Sequence, residues 1–189
     1  MSLEFNRRSF LKYTAVAAVA VAGSSLLVGC GEDEYQKTGK IGSTLKLMGE
    51  FKLKNASLAS APISTAAGNT LTCEFNLKCT SKYGLNIVPA NFQVEVTSND
   101  NVTIYHAYNT DGTGGVTLRN SNNYLKKDES LETELTVKNI TVAAGDTIQV
   151  KFWPRPQASE GSQAYTRAFC TWKMTAKADT TDPSKIILE

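Results

Sequence analysis

Few residues in this 189-residue chain have the types and spacing to do chemistry. His106 is its single histidine. A blue-copper site takes two histidines and a cysteine, and catalytic zinc sites mostly use histidine, so neither metal is expected. A serine–histidine–acid triad would have to use His106, but no Gly-x-Ser-x-Gly accompanies it. Lying between Tyr105 and Tyr108, it reads instead as a side chain at a strand end. Asn109-Thr110-Asp111-Gly112 gathers hard oxygen ligands, yet the spacing of a calcium loop and its closing glutamate are absent, which leaves turn chemistry. The four cysteines include no Cys-x-x-Cys, the spacing a thiol redox centre would use. Cys73 and Cys79 stand on one predicted strand, about 20 Å apart at ~3.3 Å per residue, and cannot bond to each other. No catalytic residue, metal or cofactor is expected, and the chain is not expected to be an enzyme.

Aromatic residues offer a different chemistry. Tyr105, Tyr108, Tyr124, Trp153 and Tyr165 fall near predicted strand ends or loops, beside Asn, Asp and Gln. Such rings can stack on a sugar, anchor a protein partner or simply pack the rim of a domain. No block of five like charges occurs, so nothing marks a nucleic-acid partner. An apolar fraction of 41% is enough for an ordinary core.

The most specific pattern lies at the N-terminus. Asn6-Arg7-Arg8-Ser9-Phe10-Leu11-Lys12 is followed by an uncharged apolar run from Tyr13 to Val28, and the run ends in Leu27-Val28-Gly29-Cys30. Positive charge, an apolar stretch and small residues in that order make an export signal. Arg7, Arg8, Phe10, Leu11 and Lys12 resemble a twin-arginine signal, with Asn6 where that family prefers Ser or Thr. The resemblance implies folding in the cytoplasm before export. Leu27 to Cys30 resembles the lipobox of bacterial lipoproteins, which implies a diacylglyceryl group on the Cys30 thiol and cleavage just before it. Two acyl chains meet the physical minimum for stable anchoring. The implied location is the outer face of the cell membrane, or the outer membrane where the envelope has two. Beyond Cys30, about 160 residues remain, the size of one domain plus a tether.

The elements that must position the aromatic residues read as strands. Leu45–Leu47 and Phe51–Leu53 alternate with lysines around a bend at Gly49, and Ala56–Ala67 reads as a loop or weak edge. Leu71, Cys73, Phe75, Leu77 and Cys79 keep strict period two, the best strand signal in the chain. Phe92-Val94-Val96 follows, and the Ser98–Asn101 turn returns Val102–Tyr108 as a hairpin. Val116–Leu118 is brief. Leu131–Val137, Ile148–Trp153 and Tyr165–Ala176 complete the set, with Pro154 and Pro156 closing the second of these. Ile186–Leu188 could add to a sheet edge. No helix stands out beyond Cys30.

Short strands separated by turn signals predict an all-β antiparallel sandwich. Leu71–Val96 and Leu125–Trp153 resemble small bacterial lipoproteins that carry one immunoglobulin-like domain. The resemblance implies a signal peptide over 1–29, a lipidated tether over 30–42, the sandwich over 43–177 and a loosely ordered tail over 178–189. Sandwiches of that type often join their sheets by a disulfide beside a core tryptophan, a place Trp172 would suit. A bridge from Cys170, with Cys73 nearer its strand centre than Cys79, therefore stands beside three reduced, buried thiols as an open alternative. The function expected is an anchored extracytoplasmic binding module for a protein or envelope partner. A glycan-binding module using the aromatics is the alternative, and a cofactor-bearing exported enzyme the lesser one.

Overall fold

Alternation of apolar and polar residues turns directly into strands. The computed structural model describes residues 35–59, 68–107, 115–156, 167–182 and 185–189. The export signal, Cys30, Tyr108, the Asn109–Gly112 turn and Tyr165 lie outside these residues. The strands are β1 (Gln36–Gly39), β2 (Thr44–Lys46), β3 (Gly49–Ala59), β4 (Asn69–Cys79), β5 (Leu85–Ile87), β6 (Phe92–Ser98) and β7 (Asn101–His106). They continue with β8 (Val116–Leu118), β9 (Asn122–Leu125), β10 (Ser130–Ile140), β11 (Thr147–Phe152), β12 (Arg155–Pro156), β13 (Phe169–Ala178) and β14 (Ile186–Leu188).

Two sheets carry the architecture. One has the order β2-β3-β4-β10-β8. The other runs β1-β13-β11-β6-β7, with β14 also paired to β13. A small third sheet, β12-β5-β9, lies at the ends of β11 and β4. Leu71, Cys73, Phe75, Leu77 and Cys79 all point inward from β4, as their period of two requires. They meet Val94, Ile148, Val150, Cys170, Trp172 and Met174 in one buried cluster. Rings make the seam: Phe75 packs edge-on against Trp172 at 5.2 Å, and Phe51 against Phe152 at 5.0 Å. The molecule is an all-β sandwich.

Turns behave as their residues dictate. Asn99 and Asp100 both take positive φ (46° and 67°), the combination that suits a two-residue hairpin between β6 and β7. Gly84 sits at φ 70°, and a Cβ there would meet the Tyr124 ring at 2.5 Å.

The structure departs from the sequence reading in several elements. Ala56 to Ala59 continue β3, because Ala56 packs in the core. Gln36–Gly39, expected within the tether, forms β1, which pairs parallel with Phe169–Trp172 and is the exception in an otherwise antiparallel fold. The tail expected to be loose forms β14, clamped to β13 by paired backbone bonds between Thr175 and Glu189 (2.8 and 3.1 Å) and by the Lys177–Glu189 ion pair. Leu85–Ile87 forms a strand too short to show a pattern. Finally, no disulfide joins Cys73 to Cys170; both are free and buried, as is Cys79. Two residues along from each, Phe75 and Trp172 pack edge-on against one another at 5.2 Å.

Candidate binding cleft beside Trp153

The end of β11 is where the fold prepares a surface. Phe152 anchors that end in the core, its ring stacked on Phe92 at 4.6 Å. Trp153 then leaves the ladder, since Pro154 and Pro156 have no N–H to continue it. Its backbone is caught by Asn91, which closes the 3-10 turn Pro89–Asn91 and is 1% exposed. The Trp153 N–H donates to the Asn91 carbonyl (2.9 Å), and Asn91 Nδ2 donates back to the Trp153 carbonyl (3.1 Å). Asn91 Oδ1 accepts from the Val88 N–H at 3.1 Å, so its amide is used at both ends. Trp153 is thereby fixed before any ligand arrives. Its half-buried ring lies 5.6 Å from that of Phe169, tilted by 42°.

Two adjoining hollows lie at this strand end, and Trp153 lines one of them. One, of about 270 Å³, is lined by Ala90, Phe92, Gln93, His106, Trp153 and Arg155. The second, of about 290 Å³, is lined by Asn86, Val88, Ala90, Asn91, Arg155 and Pro156. Each alone falls just below the ~300 Å³ at which small-molecule sites begin, and Ala90 and Arg155 are common to both.

The polar groups here differ in how far they are satisfied. Lys151 is neutralised by Glu95 at 2.6 Å, and Glu95 also accepts from Gln93 Nε2 at 2.5 Å. Arg155, exposed and in register with Asn86 across β12 and β5, has no carboxylate partner among the described residues. Asn86 Oδ1 is buried and makes no hydrogen bond among them. An unpaired buried acceptor of this kind costs roughly 1–3 kcal/mol. Amides, a guanidinium and an imidazole around an indole can orient a ligand. They do not make an acid–base pair, and no three His, Cys, Asp or Glu side chains among the described residues converge as metal ligands.

Of the singled-out aromatics that lie among the described residues, Tyr105, Tyr124 and Trp153, only Trp153 lines the cleft. Tyr105 is buried at 7% exposure, its hydroxyl accepting from the Thr141 N–H at 3.2 Å, and is corrected to a core residue. Tyr124 is 46% exposed on β9, two strands from Arg155 in the small sheet, and covers Gly84. Asn86, Asn91 and Arg155 escaped sequence reading. Asn91 alone left a signal, since an Asn closing a Pro-Ala-Asn turn before a strand is capping chemistry.

A third hollow, about 220 Å³, lies on the outer face of the β4–β10 sheet and includes Lys54, Glu74, Arg119, Glu132 and Glu134. Its charges pair internally, Lys54 with Glu132 at 3.3 Å and Arg119 with Glu134 at 3.7 Å. The thiols are chemically quiet. Burial pushes Cys73 and Cys170 up to about 12, Lys37 offsetting a little of the rise at Cys170. Cys79 is also raised, by burial first and then by Asp128 and Glu129.

Residues 4–24 match the model of the twin-arginine translocation pathway signal sequence. The chain therefore carries a signal for export across the cytoplasmic membrane. No curated protein matches it. Among solved structures it is similar to ycdA, a candidate lipoprotein of Bacillus subtilis subsp. subtilis str. 168, at 15% identity and a TM-score of 0.48. The similarity covers 78% of this chain but 42% of that one, so the chain spans less than half the length of the structure it matches.

Proposed function

We propose that this chain is an exported lipoprotein, anchored through Cys30, whose sandwich is a binding module working at the Trp153 cleft. The signal over 4–24 and the Leu27-Val28-Gly29-Cys30 that follows support the anchor. The strand orders support an immunoglobulin-type sandwich. With β3, β4, β6, β7, β8, β10, β11 and β13 taken as A, B, C, C′, D, E, F and G, the sheets run A-B-E-D and G-F-C-C′.

The observation that carries the binding role is a tryptophan fixed by Asn91 beside an unpaired guanidinium and an unpaired amide oxygen. A group left unsatisfied in the free protein is available to a partner.

Two measurements on the host's own protein test the reading. The intact mass of membrane-extracted protein should begin at Cys30 with a diacylglyceryl addition, and Cys30→Ser should move the exported chain out of the membrane fraction. Retention on isolated envelope fragments should fall with Trp153→Ala. An unmodified chain that keeps Met1 would overturn the anchor, and retention unchanged in the Trp153 variant would overturn the cleft.

A further inference from the structure

Resting on that binding reading, we infer that the cleft takes a saccharide carrying a carboxylate, its ring on Trp153 and its acid group on Arg155. The lining selects this chemistry by exclusion as well as by fit. A hydrophobic ligand would want an enclosed apolar cavity; both hollows are open, and their walls mix Trp153, Val88 and Pro156 with Asn86, Gln93 and Arg155. A polyanion would want several free cations. Lys151 on β11 is already held by Glu95, which leaves Arg155 as the single guanidinium without an ion-pair partner lining the cleft among the described residues. One fork-shaped donor matches one carboxylate bidentately.

A sugar ring supplies the rest. Its apolar C–H face suits an indole that is fixed in place and half exposed, as Trp153 is. Its hydroxyls are donors as well as acceptors. Asn86 lines one hollow, and its Oδ1 is a buried acceptor lacking a donor among the described residues. Register places Asn86 opposite Arg155, so a ligand bridging the hollows meets the acceptor and the cation side by side. Preorganisation lowers the entropic cost of such contacts, because Asn91 has already ordered the tryptophan.

The chain contains its own probe. It has two tryptophans, and Trp172 is wholly buried between the sheets, so a ligand-induced change in fluorescence reads Trp153. The detergent-solubilised full chain should be titrated with N-acetylmuramic acid and glucuronic acid, and with N-acetylglucosamine and glucose as neutral counterparts. The acidic sugars should quench and bind more tightly. Arg155→Gln, an exposed change that leaves the fold intact, should weaken them about tenfold while leaving the neutral sugars unaltered. Asn86→Ala should weaken both kinds. Equal affinity for acidic and neutral sugars, or acidic binding unchanged in Arg155→Gln, would overturn the assignment. So would silence of Trp153 towards every sugar at millimolar concentration. If the sugars fail while Trp153-dependent retention on envelope fragments persists, the saccharide falls and the binding module stands. If retention fails as well, both fall.

Discussion

The outer face of the β4–β10 sheet and the cleft at the end of β11 both present polar side chains around a hollow, and they are built on opposite terms. On the sheet face, Lys54 answers Glu132 and Arg119 answers Glu134. Glu74 stands directly across the ladder from Glu134, a like-charged pair that the nearby Arg119 moderates. That surface is a solvated mosaic in which both cations already have carboxylate partners. At the cleft, the Arg155 guanidinium and Asn86 Oδ1 have no ion-pair or hydrogen-bond partner among the described residues, while Asn91 joins the Val88 N–H to the Trp153 carbonyl through its amide. Polarity alone therefore does not mark a site; unpaired polarity beside a fixed ring does.

Asn91→Ala should break the comparison most severely. It removes two buried hydrogen bonds and strands the Val88 N–H, for about 2–3 kcal/mol and a clear fall in Tm by thermal melting. A loss within the noise would mean the turn is not what fixes Trp153. Trp153→Ala should cost less, about 1 kcal/mol, because the ring is only half-buried against Phe169, yet it should abolish retention on the envelope. Lys54→Met, or Glu132→Gln on the same ion pair, should change stability by no more than about 0.5 kcal/mol, since both side chains are largely exposed. A larger effect, or any loss of retention, would erase the contrast between the two faces.

The sealed thiols add a pH-dependent test. Cys73 and Cys170 titrate near 12 in the fold, above the 9.0 of a free thiol, so the folded chain keeps them protonated where the unfolded chain would ionise. Their contribution is complete below pH 9 and declines as pH rises from about 9 towards 12, so denaturant midpoints should fall over that window. At neutral pH, iodoacetamide should label Cys73, Cys79 and Cys170 only after unfolding. An export route that moves folded chains suits this arrangement. A chain folded before export would close its core over the thiols before they meet an oxidising compartment, whereas the same chain exported unfolded should yield mispaired disulfides on a non-reducing gel.

The strands with several alternating apolar residues, β4, β6, β10, β11 and β13, were legible in the chain because a period of two declares which face is buried. β1 was not, because Gln36-Lys37-Thr38-Gly39 has no apolar side and its pairing with the edge of β13 reaches more than 130 positions along the chain. β5 is three residues long, and its pairing with β12 and β9 depends on segments about 70 and 40 positions away. The site suffered most from this, since Asn86 and Arg155 become neighbours only through that pairing. Trp153 was visible as an aromatic at a strand end, whereas Tyr105, in the same kind of position, went to the core because its partner Thr141 lies on the other sheet's connection.

The parallel strand β1 has a mechanical consequence. A pull entering at Tyr35 passes through its carbonyl bond to Phe169 and from the Phe169 ring to Trp153. β1 is laddered over four residues to β13, and β13 to β11, the strand that ends beside Trp153, so that pull is carried by paired backbones within one sheet.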